Sequence, residues 1–100
     1  MIDLSRIAGF DWDEGNRRKN ALKHGKSNTE AEQVFGNEPV LIIEDELHSE
    51  IEERYHALGV SNEGRLLQVT FTMRQDATLI RVISARPMNR TERRRYAEES

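Results

Sequence analysis

The sequence predicts an α+β fold: an antiparallel four-stranded meander with a short strand before it, an N-terminal helix hairpin and a C-terminal helix, the helices on one face of the sheet. Three observations carry that prediction. Arg65–Met73 alternates apolar and polar side chains, and Thr78–Arg86 is rich in β-favouring apolar residues, so the two read as a hairpin. Two capping boxes, Ser27 with Glu30 and Asn89 with Glu92, mark helix starts on either side of the strands. Short links between the last four strands force antiparallel neighbours.

The elements follow in order. Residues 1–9 lack periodicity and are expected to be partly mobile. Phe10-Asp11-Trp12 reads as a short extended segment. Asp13 caps a helix over about Glu14–His24, which opens acidic, closes basic and stops at Gly25. The Ser27 box starts a second, short helix with Ala31, Val34 and Phe35 on one face, ending at Gly36, so the pair forms a hairpin around His24-Gly25-Lys26. Pro39 closes that unit. Strands are expected at Val40–Asp45, Glu53–Ser61, Arg65–Met73 and Thr78–Arg86, with an acidic connection over Glu46–Glu52 and a turn at Asn62-Glu63-Gly64, where glycine supplies a positive φ. Pro87 ends the ladder, and Arg90–Glu99 is the last helix.

Strand parity assigns the faces. Leu67, Val69, Phe71 and Met73 share the core face of the third strand of the meander, with Gln68, Thr70 and Thr72 opposite. In the last strand Ile80 and Val82 are the core residues, which puts Arg81 on the polar face. In Glu53–Ser61 periodicity does not choose between Arg54, His56, Leu58, Val60 and Glu53, Tyr55, Ala57, Gly59.

One hundred residues, 36% hydrophobic and 33% charged, make one domain spanning 1–100. There is no cysteine, hence no disulfide framework and no thiolate metal site, which suits a reducing cytoplasm. No apolar run is long enough to span a membrane, and the N-terminus has no cleavage-site pattern, so no membrane association is expected. The net charge of −3 hides a split: residues 1–53 carry 6 basic and 13 acidic side chains, net −7, and residues 54–100 carry 9 and 5, net +4. The C-terminal half therefore has a local field suited to an anion.

Phe10-Asp11-Trp12-Asp13, Asn20-Ala21-Leu22-Lys23-His24-Gly25 and Glu30-Ala31 with Val34-Phe35 resemble the N-terminal half of the BrnT family. His48-Ser49, Glu52-Glu53-Arg54, Gly64-Arg65, Thr72 with Arg74, Ile83-Ser84-Ala85-Arg86, Glu92-Arg93 and Tyr96 extend the resemblance over about residues 10–96. It implies a RelE-like fold and an endoribonuclease toxin of a bacterial type II toxin–antitoxin system that inhibits growth. The partner would be an antitoxin with a ribbon-helix-helix DNA-binding segment, and DNA would be touched only through the complex.

Metal-free RNA cleavage uses the 2′-hydroxyl as nucleophile. It needs a base for that proton, an acid for the leaving oxygen and cations for the charge developing on phosphorus. Arg81 and Arg65 are the expected phosphate-stabilising pair, since the guanidinium fork binds two oxygens. Lys23 adds charge from the helix hairpin, and Glu53 or His56 handles protons; Arg54, Arg74 and Arg86 are expected to bind RNA. No cofactor or metal is expected: Glu44-Asp45-Glu46 could hold Mg²⁺, but alternate residues on a strand point to opposite faces, which disfavours it. Structural explanations stand beside these. Arg54 can pair across strands with Glu52 or Glu53, Arg81 with an acid of 44–46, and His24 can serve a helix end. Arg93–Arg95 read as a solvated helix face. The competing function is a non-catalytic nucleic-acid- or protein-binding module built on the same basic half.

Overall fold

The computed structural model describes residues 4–12, 28–45, 53–74 and 78–99. A 3-10 turn at Leu4–Arg6 leads into β1 (Gly9–Trp12), then α1 (Asn28–Gly36), β2 (Leu41–Asp45), β3 (Arg54–Val60), β4 (Leu66–Arg74), β5 (Leu79–Pro87) and α2 (Arg90–Glu99). The strands form one sheet in the order β1-β5-β4-β3-β2.

This arrangement corrects the expected fold. The sheet is five-stranded and mixed, because β1 pairs parallel with β5, Gly9 opposite Leu79 through Trp12 opposite Val82. Short links dictate antiparallel pairing only between strands adjacent in sequence, and β1 has no short link to β5. The pairing seats Phe10 against the core, and the Ala8 N–H donates to the Thr78 carbonyl at 2.7 Å. Among the described residues a single helix, α1, precedes β2; the first member of the expected hairpin, residues 14–24, lies outside them. The two described helices also lie on opposite faces of the sheet.

The two faces are written in β3. Ala57 points into the main core with Ala31 and Val34 of α1, Leu67, Val69 and Phe71 of β4, and Ile80, Val82 and Ala85 of β5. Its neighbour Leu58 points the other way and packs with Met88 and Tyr96 against Leu41, Ile43 and Leu66, under α2. Phe35 of α1 meets Phe10 at 5.7 Å and Phe71 edge-on at 5.0 Å, and Tyr55 stacks on Phe71 at 5.5 Å, so aromatic rings bridge the α1 layer. Gly59 permits the close approach of α1 to β3: a Cβ there would lie 2.7 Å from Val34 Cγ1 and 3.4 Å from the Val34 carbonyl oxygen. Gly64 supplies the turn before β4 with φ +81°.

In β5 the register slips between Thr70 opposite Ser84 and Phe71 opposite Val82, so Ile83 is an extra residue. This β-bulge inverts the alternation. Val82 and Ala85 both reach the core, while Arg81 and Arg86 both fall on the face under α2, opposite Thr72 and Gln68.

Candidate active site

The face opposite α1 is apolar at one end and polar at the other. Leu41, Leu58 and Leu66 at the apolar end support α2. The next row across the sheet is Ile43, His56, Thr70 and Ser84. The row beyond crosses all five strands: Asp45 opposite Arg54, Thr72 opposite Arg81, and Arg81 opposite Asp11. Continuing the β3–β4 register sets Arg54 beside Thr72. Two arginines therefore flank Thr72, two strand spacings or about 10 Å apart at Cα, with a carboxylate outside each. Thr72 is only 2% exposed, and its hydroxyl donates to the Glu53 carbonyl at 2.7 Å. Arg74 Nε stands 4.0 Å from Asp11 Oδ2 at the same end of the sheet.

His56 is held at both ring nitrogens. Nε2 is 3.1 Å from Asp45 Oδ2 and Nδ1 is 2.9 Å from Thr70 Oγ1. The polar contacts continue along β4, where Thr70 Oγ1 is 3.5 Å from Gln68 Oε1 and Gln68 Nε2 donates to Glu92 Oε2 at 3.3 Å. Glu92 closes the chain in α2. Both its oxygens take bonds from the Arg86 guanidinium at 2.8 Å, and Oε1 also accepts the Asn89 N–H at 2.9 Å. Asn89 returns the bond by accepting the Glu92 N–H at 2.8 Å, which completes a reciprocal cap. Burial opposes ionisation of Glu92, but the Arg86 bonds, the Asn89 N–H and the nearby charges outweigh it and hold the carboxyl below its usual range. The same bonds raise Arg86 against its own burial.

The sequence-derived candidates divide by place. His56, Arg54, Arg81 and Arg74 share this polar face. Arg86 shares it too, with its fork engaged by Glu92. Arg65 stands elsewhere: its guanidinium lies 3.6 Å from Glu30 of α1 and 3.5 Å from Glu63. It directly precedes β4, seven residues from Thr72, roughly 23 Å at about 3.3 Å per residue, too far to share one phosphate with Arg81. The Glu53 carboxylate accepts the Tyr55 hydroxyl, and that bond, with burial, pushes the phenol up to about 12. Lys23, together with His24 and His48, lies outside the described residues.

Asp45, Thr70, Gln68 and Glu92 were not singled out as site residues from the sequence. Parity offered a signal for the first: Asp45 falls on the same side of its strand as Ile43, which the register sets opposite His56.

The described strands thus form a mixed sheet that presents Arg54, Arg81, Arg86 and His56 on one face. A family model for the ribonuclease toxin BrnT of type II toxin–antitoxin systems matches residues 12–92, and the chain belongs to that family. It is a ribonuclease toxin, and a type II system supplies an antitoxin as its partner. Among solved structures, the 1.1 Å crystal structure of the Brucella abortus ribonuclease toxin BrnT is similar in fold, with a TM-score of 0.62, 23% identity, and coverage of 82% of this chain and 97% of that one. No curated protein matches the sequence.

Proposed function

We propose that the polar face of the sheet is the ribonuclease active site and that it cleaves RNA without a metal ion. The observation that carries this reading is the row Asp45, Arg54, Thr72, Arg81, Asp11 beside His56. Arg54 and Arg81 hold the scissile phosphate from either side and stabilise the charge that develops on it. His56 takes the proton of the 2′-hydroxyl as that oxygen attacks phosphorus. The bond to the 5′-oxygen breaks, leaving a 2′,3′-cyclic phosphate, and the departing oxygen takes a proton from solvent. Arg74 extends the cationic surface toward flanking phosphates. The two arginines and the histidine that this reading uses lie on one face of the sheet.

The antitoxin in this reading carries a ribbon-helix-helix segment, and the toxin meets DNA through it. The test of the chemistry is cleavage by purified protein in excess EDTA. Undiminished cleavage with a cyclic phosphate terminus is the expected result, and cleavage abolished by EDTA and restored by one divalent cation would overturn the reading. The test of the partner is co-expression with the neighbouring small reading frame, followed by co-purification and operator binding. A stable partner of another DNA-binding class would overturn that part.

A further inference from the structure

An imidazole that moves one proton must offer a defined nitrogen, and its second nitrogen's partner decides which one. His56 has both nitrogens engaged, so hydrogen-bond polarity can be followed atom by atom. A carboxylate has no proton to give, so the 3.1 Å contact between Nε2 and Asp45 Oδ2 requires a proton on Nε2. In the neutral ring Nδ1 then carries the lone pair and accepts the Thr70 hydroxyl at 2.9 Å. In the charged ring Nδ1 donates to Thr70 instead, and the hydroxyl proton turns to Gln68 Oε1 at 3.5 Å.

Gln68 is oriented to receive that proton. Its amide nitrogen is committed to Glu92 Oε2, and Glu92 is itself held by Arg86 and Asn89. Rotation of one hydroxyl therefore satisfies either protonation state. The charged groups around the ring are Asp45 from β2, Arg54 on its own strand, and Glu92 of α2 paired with Arg86 of β5.

We propose that Asp45 is a positioning residue for His56. Its carboxylate fixes the Nε2–H tautomer, makes Nδ1 the nitrogen that takes the proton, and stabilises the imidazolium that results. Thr70 is the hydroxyl that Nδ1 exchanges for substrate. The proposal rests on His56 being the proton-transfer group of the active site described above. Diagonal placement across β2 and β3 supplies the reach, since Asp45 lies two residues beyond Ile43, the direct partner of His56.

The experiment combines the imidazole ¹⁵N spectrum with cleavage kinetics for the wild type, Asp45→Asn and His56→Gln. The wild-type neutral ring is expected to show Nε2–H. In Asp45→Asn, whose amide can either donate or accept, a mixture of tautomers is expected. Its kcat should fall roughly 10²–10⁴-fold with KM little changed. An Nδ1–H ring in the wild type would overturn the proposal, and that spectrum decides the matter even if the variant fails to fold. Wild-type kcat in folded Asp45→Asn would overturn it as well. Full activity in His56→Gln would instead remove the catalytic role of His56, and with it the catalytic meaning of the Asp45 bond.

Discussion

At the scale of single residues, the site is a set of charges already balanced before substrate arrives. Arg86 is held by Glu92, Arg74 stands near Asp11, and Arg54 and Arg81 each have a carboxylate directly across the ladder. In the proposed site, a phosphate between Arg54 and Arg81 would compete with Asp45 and Asp11 for the two guanidinium groups. Arg81→Ala should slow cleavage about 10²–10³-fold, the usual loss for one preorganised donor. Arg65→Ala, which removes a cation paired with Glu30 and Glu63 at the far end of β4, should slow it less than about tenfold. Comparing kcat/KM for the two folded variants checks this, and equal losses would place the phosphate elsewhere. Asp45 was hidden from sequence reading because a strand acid beside Glu44 and Glu46 reads as surface charge. Only the register shows that it meets His56.

At the scale of elements, α2 is fixed by few groups. Glu92 serves both as the third residue of its cap and as the partner of Arg86, and the Tyr96 hydroxyl donates to the Pro39 carbonyl at 2.6 Å. Glu92→Gln should cost less than about 1 kcal/mol, because glutamine still accepts the Asn89 N–H and the lost pair with Arg86, more than a third exposed, is screened by solvent. The folded state lowers the Glu92 carboxyl below its usual range, so its stabilisation is complete above that range and lost as pH falls through the lowered value. Urea melts of wild type and variant should therefore differ at neutral pH and converge in acid; a constant gap would rule out the ion pair as the cause. Gly59→Ala drives a methyl group to 2.7 Å from Val34 Cγ1 and should cost about 1–3 kcal/mol by overpacking, measurable in the same melts. The helix start at Asn89 and the turn at Gly64 were legible in the sequence because capping and positive φ are local requirements. The bulge at Ile83 was not. It moves Ala85 into the core by shifting one residue of register, and no pattern inside Thr78–Arg86 announces it. The parallel seating of β1 was hidden for the same reason, since its partner lies some seventy residues away.

At the scale of the whole molecule, the sheet separates two tasks. Its α1 face carries the main core, with Phe71, Leu67, Val69, Ile80 and Val82 fully buried. Its other face carries α2 at one end and the arginines and His56 at the other. The charge split in the sequence pointed toward this polar face, because Arg54, Arg74, Arg81 and Arg86 all come from the basic half. Arg65 belongs to the same half yet lies at the other end of β4, since the split records position along the chain and not the face of a strand. The most direct test of this face as the active site is the cleavage rate of a defined RNA by purified His56→Gln, in EDTA, with circular dichroism confirming the fold. A fall of roughly 10²–10⁴-fold is expected for the loss of a positioned proton-transfer group. Cleavage at the wild-type rate by the folded variant would contradict it.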